Sequence, residues 1–177
     1  MKLTKGLIQV YTGEGKGKTT AAFGLALRAA GSGLKVGIFQ FLKAKDLPGG
    51  ELALAKKFKK VKIFKNNQTH PMFDEDTSLE ALKTNAKILF AAAEKAGKSG
   101  KYDMVILDEI NNCVFGGLIS EAQVLRLLKN KAETTELVLT GRNLSQKILK
   151  AADLVTEMKM IKHPYEKGVA ARKGIEY

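Results

Sequence analysis

Short apolar runs alternate along this chain with segments in which apolar residues recur every three or four positions. The runs have the length of buried strands, and the intervening segments have the period of amphipathic helices. This alternation predicts an α/β fold with a mostly parallel sheet flanked by helices. The predicted strands cover residues 7–11, 36–42, 61–64, 104–107, 137–140 and 154–157. The predicted helices cover residues 19–30, 51–58, 120–128 and 143–152, with a longer one that begins near residue 77.

The segment before the long helix is polar and has the character of a loop. Residues 65–76 contain Pro71, and a loop of this length is uncommon in a compact domain unless it has a function. Thr77 and Glu80 then fit a capping box, which predicts the start of the helix. The apolar residues that follow predict one buried face, formed by Leu79, Leu82, Ala86, Leu89 and Ala93.

Polar residues also mark the starts of two later helices. Ser120 and Gln123 fit a cap ahead of the helix that runs through Leu128, and Asn143 fits the N-terminal position of the last helix. No internal repeat or low-complexity segment interrupts this order of elements.

The composition allows a sizeable hydrophobic core in one domain. Of the 177 residues, 45% are hydrophobic and 27% are charged, which is typical of globular chains rather than of disordered or fibrous ones. A chain of this length suits a single domain over residues 1–177. No stretch approaches the roughly 20 consecutive apolar residues of a membrane-spanning helix, so we expect no membrane partner.

The cysteine content and the first residues bear on the compartment. Cys113 is the only cysteine, so no internal disulfide can form. The N-terminal residues lack the apolar region and small-residue cleavage site of a secretory signal, and we therefore expect a cytoplasmic protein. Cys113 fits a small core residue better than a nucleophile, because no base is identifiable beside it.

The charge balance is strongly positive. The chain has 30 Lys and Arg against 18 Asp and Glu, a formal net charge of +12. Such a surface attracts nucleic acid, anionic lipid and polyphosphate alike, so charge does not choose among them. The densest basic segment is residues 56–65, KKFKKVKIFK. We interpret it as a solvated helix end that runs into a half-buried strand, with a nucleic-acid patch as the alternative.

The segment between the first strand and the first helix has the pattern of a P-loop. Against G-x-x-x-x-G-K-[ST], Gly17, Lys18 and Thr19 match, and Thr12 stands at the first glycine position. Glycines let consecutive backbone N–H groups turn toward phosphate, and the helix N-terminus adds unpaired donors. Lys18 can reach phosphate oxygens, and the Thr19 hydroxyl can ligate Mg²⁺. The predicted nucleotide-binding loop is Thr12, Gly13, Glu14, Gly15, Lys16, Gly17, Lys18, Thr19 and Thr20.

A second motif, MVILDE at residues 104–109, has the form of a Walker B strand. Its apolar residues lead to Asp108 and Glu109 at the carboxyl end of a parallel strand, which is the edge where α/β sheets bind ligands. Either carboxylate can hold Mg²⁺ directly or through water, and solvated acids at a strand end are the alternative. A dinucleotide site fits less well, because G-x-G-x-x-G would need glycine where Lys18 stands.

With these motifs in place, the chain resembles the P-loop type of corrinoid adenosyltransferase, also called cob(I)yrinic acid a,c-diamide adenosyltransferase. The resemblance covers nearly the whole chain, at residues 13–31, 36–43, 49–51, 103–112, 139–143 and 152–177. It implies an enzyme that transfers the 5′-deoxyadenosyl group of ATP to Co(I) of a reduced corrinoid, cobalamin or cobyrinic acid a,c-diamide, and releases triphosphate. It also implies a homodimer. The alternative is a P-loop ATPase that binds nucleic acid or a protein partner, although we do not expect nucleic acid as a partner.

The resemblance also implies roles for the charged residues of the two motifs. Thr19 and Glu109 are the implied ligands of Mg²⁺, and Asp108 is implied to act behind them without direct contact. Lys18, together with Thr19 and Glu109, is implied to stabilise the departing triphosphate. Lys16 matches a positive position of the family and is expected at phosphate or ribose.

Further expectations from the resemblance concern the arginines and the corrinoid. Arg28 and Arg142 match positive positions and are expected to contact the nucleotide. Glu14 stands where the family often has Asn, and we expect it to contribute only its backbone. The chain has no Trp, so Phe73 is the candidate for the aromatic corrinoid contact that precedes the long helix.

Two expectations come from the residues themselves. The positive charge of the lysine cluster suggests the hypothesis that it docks an acidic electron donor such as a flavodoxin. His70 and His163 each stand next to Pro in a predicted loop, and structural or solvent roles are expected of them.

Overall fold

The computed structural model describes residues 2–43, 57–66 and 78–176. In this part of the chain a parallel sheet has the strand order β3-β2-β4-β5-β1-β6. This architecture confirms the α/β class and the parallel sheet that the sequence predicts. The strands are β1 (Ile8–Thr12), β2 (Val36–Gln40), β3 (Val61–Lys65), β4 (Met104–Asp108), β5 (Glu136–Thr140) and β6 (Leu154–Glu157).

Helices cover both faces of the sheet. They are α1 (Lys18–Gly31), α2 (Leu79–Ser99), α3 (Ile110–Phe115), α4 (Glu121–Asn130) and α5 (Gln146–Ala151), followed by a 3-10 turn at Pro164–Lys167. Alternate residues of a central strand face opposite cores: Val105 packs with residues of α2 and α4, whereas Ile106 packs with residues of α1. Burial on both faces explains why β4 has a continuous apolar sequence.

Several predicted starts and ends of elements need correction. The long helix begins at Leu79, and its cap is the Ser78 hydroxyl, which accepts a hydrogen bond from the Ala81 N–H at 3.2 Å. The predicted box of Thr77 and Glu80 is therefore wrong, because Ser78 occupies the capping position. Leu79 is the first helical residue and is 65% exposed, so the buried face begins only after it.

The cap predicted at Asn143 is also wrong. The Ser145 hydroxyl caps α5 by accepting a hydrogen bond from the Ile148 N–H at 3.2 Å. Asn143 instead has a φ of 51°, the left-handed conformation that Asn tolerates in turns. By contrast, the Ser120–Gln123 capping box ahead of α4 is confirmed, and the short helix α3 was not predicted.

The basic segment enters the edge strand β3. Lys57, Lys59 and Lys60 are exposed just before it, and β3 itself is partly buried, as the interpretation of a half-buried strand requires. The predicted helix at residues 51–58 lies almost entirely outside the described residues, as do His70, Pro71 and Phe73. Among the described helices, none is long and apolar enough to cross a membrane.

The strand order determines which residues meet at the carboxyl edge of the sheet. Strand β5 lies between β1 and β4. The P-loop follows β1, and the acidic pair stands at the end of β4. The last residue of β5, Thr140, therefore lies between the two motifs.

Candidate active site

The glycine-rich loop and the first turn of α1 line a cavity of about 850 Å³. Gly13 and Gly17 have φ values of 97° and 119°, a backbone conformation that residues with a Cβ rarely adopt. Helix α1 begins directly after Gly17, and in the part of the chain that the structure describes no side chain caps its N-terminus. The positive end of the helix therefore lies at the cavity, as expected for a site that binds phosphate.

Lys18 is held inside this loop. Its side chain is largely buried, and Nζ donates to the carbonyl oxygens of Gly13 at 2.7 Å and of Gly15 at 2.8 Å. Burial lowers the pKa of Lys18, and the nearby Arg142 lowers it further, while the carboxylates of Glu109 and Glu14 raise it. The ammonium group thus lies among the loop carbonyls at the floor of the cavity.

Asp108 is completely buried and has polar partners on both carboxylate oxygens. Its Oδ1 accepts hydrogen bonds from the hydroxyls of Thr19 at 2.9 Å and Thr140 at 2.8 Å. Its Oδ2 accepts from Gln40 Nε2 at 3.1 Å and lies 3.5 Å from Lys43 Nζ. Asp108 is not among the residues that line the cavity, whereas its neighbours Thr19 and Lys43 are.

Glu109, the next residue, does line the cavity. Its φ of 68° is left-handed, and its N–H donates to Thr140 Oγ1 at 2.9 Å. The carboxylate accepts a hydrogen bond from the Asn112 amide. Burial raises the pKa of Glu109 and the charge of Asp108 raises it further, whereas three nearby cations lower it, those of Lys43, Lys18 and Arg142.

Arg142 and Glu14 meet across the mouth of the cavity. Arg142 Nη1 lies 3.1 Å from Glu14 Oε2, and both side chains are more than half exposed. The Arg142 backbone N–H donates to Asn112 Oδ1 at 2.6 Å, so one amide side chain touches both Glu109 and the arginine segment. The role predicted for Glu14 toward phosphate, through its backbone alone, stays a prediction.

The structure brings most but not all of the predicted nucleotide-binding residues together. Thr20 is exposed in the first turn of α1 and lines the cavity, and Thr12 is the buried last residue of β1. Arg28 lies in the last turn of α1, ten residues beyond Lys18 and so about 15 Å farther along the helix. Arg28 does not line the cavity.

The segment after β6 packs against the loop, a contact that sequence reasoning missed. The Gly15 N–H donates to the Met158 carbonyl at 2.6 Å. A Cβ on Gly13 would lie 2.5 Å from that oxygen, and a Cβ on Gly15 would lie 2.7 Å from it. Close packing therefore requires glycine at both positions, and the left-handed φ of Gly13 requires it there as well. No signal in the local sequence indicates this, because the contact depends on β6 pairing with β1.

The rest of the C-terminal segment forms the opposite wall of the cavity. Lys16 Nζ donates to Glu176 Oε1 at 2.9 Å and to the Ile175 carbonyl at 3.1 Å. Arg172 also binds Glu176, which holds the pKa of that carboxyl near 2. The residues of this segment that line the cavity are Met160, His163, Tyr165, Glu166, Gly174, Ile175 and Glu176.

His163 and Cys113, two residues with reactive side chains, have structural contacts. His163 Nδ1 accepts a hydrogen bond from the Tyr165 N–H at 3.2 Å and so caps the 3-10 turn, in line with the structural role expected of it. Cys113 is completely buried, and burial with the nearby Glu109 charge raises the pKa of its thiol to about 12. A thiol in this environment is a poor nucleophile.

Comparison with known proteins identifies close relatives. The family model for "ATP:corrinoid adenosyltransferase BtuR/CobO/CobP" matches residues 4–177. A corrinoid adenosyltransferase of a Sinorhizobium species is 36% identical over 175 residues, which are 98% of this chain and 81% of that protein. The corrinoid adenosyltransferase of Escherichia coli K12 is 34% identical over 174 residues, 98% of this chain and 86% of the relative. The protein CobA of Salmonella typhimurium, also named a corrinoid adenosyltransferase, is 34% identical over 177 residues with the same coverage.

Solved structures with little sequence similarity share the fold. A KaiC-like protein from Pyrococcus horikoshii aligns with a TM-score of 0.58 at 18% identity, over 90% of this chain and 75% of that one. ATPases 2 and 3 of EssC from Geobacillus thermodenitrificans align with a TM-score of 0.50 at 14% identity, over 96% of this chain and 35% of that one. At these identities the likeness shows the P-loop NTPase-like fold alone.

Proposed function

Since the chain belongs to the ATP:corrinoid adenosyltransferase family BtuR/CobO/CobP, we infer that it is an enzyme that transfers the 5′-deoxyadenosyl group of ATP to Co(I) of a reduced corrinoid and releases triphosphate. The match over residues 4–177 carries this conclusion, together with relatives 34–36% identical over 98% of the chain. The alternative of a P-loop ATPase that binds nucleic acid or a protein partner receives no support from these relatives. We propose that residues 1–177 act as one domain.

The reaction sets simple demands on the protein. The electron pair of Co(I) attacks carbon C5′ of ATP, a Co–C bond forms, and the C5′–O bond breaks with its electron pair leaving on triphosphate. No water needs activation and no covalent enzyme intermediate is required. The protein must hold the triphosphate, stabilise the charge that develops on it and orient C5′ toward the cobalt.

We propose that the P-loop, Lys18, Lys16 and Arg142 bind the triphosphate. Loop residues 14–20 and Arg142 line one cavity. Two of the three cations have carboxylate partners, Glu176 at Lys16 and Glu14 at Arg142. A triphosphate offers oxygens of higher charge than either carboxylate, so these cations can exchange partners when ATP binds. The helix N-terminus and the loop N–H groups other than that of Gly15, which is bound to Met158, complete the cradle. Arg28 stays a prediction without support from the cavity.

We propose that Mg²⁺ binds with the nucleotide at Thr19 and Glu109. The donor set suits this cation, because both side chains offer hard oxygen atoms at one edge of the cavity. The Thr19 hydroxyl donates its proton to Asp108, which leaves its lone pairs free for a metal. The described residues hold no cluster of three or more His, Cys, Asp or Glu that could bind a metal by itself, so phosphate oxygens and water must supply further ligands. Bound Mg²⁺ neutralises charge on the triphosphate.

We further propose that an acidic redox protein of the flavodoxin kind supplies the electron that forms Co(I). The exposed lysines before and on β3 support this proposal, because they form a positive edge of the sheet. Changing Lys56, Lys57, Lys59 and Lys60 to Gln should slow the reaction with the protein donor at low salt but not with a chemical reductant. An unchanged rate with the protein donor would contradict this docking site. For the corrinoid itself, Phe73 is our candidate contact.

A homodimer and a cytoplasmic location complete the proposal. The homodimer is what the family resemblance implies, and sedimentation equilibrium at micromolar concentration tests it. The buried, unpaired thiol of Cys113 suits a reducing compartment. A monomer at all concentrations would contradict the homodimer. Recovery of the native protein from an oxidising compartment would contradict the cytoplasmic location.

The decisive experiment is an anaerobic assay with ATP, Mg²⁺ and chemically reduced cobalamin or cobyrinic acid a,c-diamide. We expect a light-sensitive Co–C product and an equal amount of triphosphate. Lys18→Ala should lower the rate by at least about a hundredfold, because it removes a charge-stabilising donor. The matched control is Lys98→Ala, which removes an exposed lysine of α2 whose partner among the described residues is Glu94. Release of ADP without adenosylation of either corrinoid would overturn the proposed function.

A further inference from the structure

Thr140 is a buried hydroxyl that touches both acids of the β4 motif. Its Oγ1 lies 2.8 Å from Asp108 Oδ1 and 2.9 Å from the Glu109 backbone nitrogen. A hydroxyl has one proton to donate and two lone pairs to accept with. Asp108 has no proton to give when ionised, so Thr140 donates to Asp108 and accepts from the Glu109 N–H. One side chain thus bridges two consecutive residues with different roles.

The strand order gives Thr140 this position. In the pairing of β4 with β5, Leu107 lies opposite Leu139, which puts Thr140 beside Asp108 at the carboxyl edge. On the other side of β5, Thr140 pairs with Tyr11 of β1, the strand that leads into the P-loop. Thr140 is completely buried and does not line the cavity. It therefore cannot act by touching substrate.

The contacts of Thr140 bear on the two proposed metal ligands. Asp108 Oδ1 accepts from Thr140 and from Thr19, so the orientation of this carboxylate determines where the Thr19 proton points. The second contact holds the amide of Glu109, whose left-handed backbone is unfavourable for a residue with a side chain. That backbone conformation directs the Glu109 carboxylate to the cavity. Gln40 and Lys43 hold only the other oxygen of Asp108, so they do not replace Thr140.

We propose that Thr140 is a positioning residue of the adenosyl-transfer site. Through Asp108 it sets the direction of the Thr19 hydroxyl, and through the Glu109 N–H it sets the direction of the Glu109 carboxylate. This inference rests on the proposed function and deepens it. According to this inference, a residue at the end of β5 orients both proposed metal ligands, Thr19 and Glu109. Loss of the Thr140 hydroxyl should therefore weaken binding of the Mg²⁺–ATP complex more than it weakens binding of ATP alone.

The same strand region offers a matched control. Thr135, immediately before β5, is also completely buried, and its hydroxyl donates to the Tyr102 carbonyl at 2.9 Å. Thr140→Val and Thr135→Val therefore remove the same atom from equally buried threonines at the two ends of one strand. Thr140→Ser keeps the hydroxyl and loses only a methyl group. A structural role predicts similar effects of the two valine substitutions, whereas a positioning role predicts different effects.

The test compares binding and turnover in the full-length chain. Calorimetry without corrinoid measures the Kd of ATP with Mg²⁺ and with EDTA, and the anaerobic assay measures kcat and the Mg²⁺ concentration for half-maximal rate. Adding Mg²⁺ should increase the ATP affinity of Thr140→Val about 10- to 100-fold less than it increases that of the wild type. The Mg²⁺ concentration for half-maximal rate should rise by about the same factor. We expect the Kd in EDTA to change by less than about threefold, Thr140→Ser to restore metal dependence and Thr135→Val to match the wild type.

Two results would overturn the proposal. One is a Thr140→Val enzyme with the metal dependence of the wild type, and the other is a loss of metal dependence that Thr135→Val shares. If Thr140→Val does not fold, Thr140→Ala carries the same comparison with Thr140→Ser. If no variant and not even the wild type transfers adenosyl, the proposed function fails, but the calorimetric comparison still decides the role of Thr140.

Discussion

Replacing Gly15 with alanine tests the contact between the P-loop and the segment after β6. A Cβ on Gly15 would lie 2.7 Å from the Met158 carbonyl oxygen and 2.9 Å from the Lys159 carbonyl carbon. Both are backbone atoms, so no side chain can rotate away. The φ of Gly15 is not in the left-handed region, and an alanine there is strained by its neighbours rather than by its own backbone.

The magnitude follows from two contributions. Forcing one methyl group into a packed contact typically costs about 1–3 kcal/mol. The shift also weakens the hydrogen bond from the Gly15 N–H to Met158, which contributes about 1 kcal/mol. We therefore expect Gly15→Ala to lower the free energy of unfolding by about 2–4 kcal/mol. For a chain of this size the corresponding drop in Tm is roughly 4–16 °C.

Gly24→Ala is the matched control for Gly15→Ala, because Gly24 lies in the helix that follows the P-loop. It lies in the interior of α1, and a Cβ there would meet no atom of the described residues within 4 Å. Gly24→Ala should therefore raise stability by about 0.5–1 kcal/mol through the helix propensity of alanine. Urea unfolding followed by circular dichroism measures both variants, and calorimetry measures their affinity for ATP. If Gly15→Ala is as stable as Gly24→Ala and binds ATP as the wild type does, Met158 does not pack on the loop and the reasoning is refuted.

Three further predictions concern the core and the C-terminal segment. The pKa of about 12 for Cys113 keeps the thiol protonated in the native state, so a thiol reagent at pH 8 should react only after unfolding. Because folding raises the pKa of the Cys113 thiol from about 9 to about 12, this thiol contributes its full stabilisation below pH 9. The contribution declines as the pH rises toward 12. An unfolding free energy that stays constant between pH 9 and pH 12 would contradict the raised pKa. Leu89→Ala should lower the free energy of unfolding by about 2–5 kcal/mol, because Leu89 is only 4% exposed. Leu79→Ala should lower it by less than about 0.5 kcal/mol, because Leu79 is 65% exposed. Equal urea midpoints of the two variants would contradict the start of α2 at an exposed Leu79. Glu176→Gln removes the carboxylate partner of Lys16 and should tighten ATP binding at low salt, with a smaller effect at high salt; calorimetry that finds weaker binding would refute the exchange of partners.

The central strands β2, β4 and β5 were predictable from the sequence because they are buried on both faces along their whole length. Strands such as β4 consist of uninterrupted apolar residues, which local patterns reveal. The P-loop was predictable for a similar reason, since its lysine, threonine and glycines lie within a few consecutive positions. The end of β2 was not predictable from the sequence. The apolar run predicted a strand to Leu42, but Leu42 has a left-handed φ of 55° and the strand ends at Gln40.

The parts of the site that sequence reasoning missed depend on strand order. Thr140 follows an apolar strand and looks like its last residue, and only the insertion of β5 between β1 and β4 brings it to Asp108. The packing of Met158 on Gly15 likewise requires β6 to pair with β1. Neither arrangement has a local pattern. Leu79 is the opposite case, because its spacing fits the apolar stripe but the Ser78 cap leaves it exposed in the first turn.

The pairing of β1 with β6 has a consequence for the timing of folding. The Ile8 N–H donates to Asp153 Oδ2, a contact between residues 145 positions apart, and the P-loop then packs on the residues after β6. The P-loop is therefore synthesised long before the residues that pack on it. A growing chain carries this loop without its packing partners until β6 and the residues after it have been synthesised. Contacts of such high sequence separation also predict slow folding, with competence to bind ATP among the last properties the chain acquires.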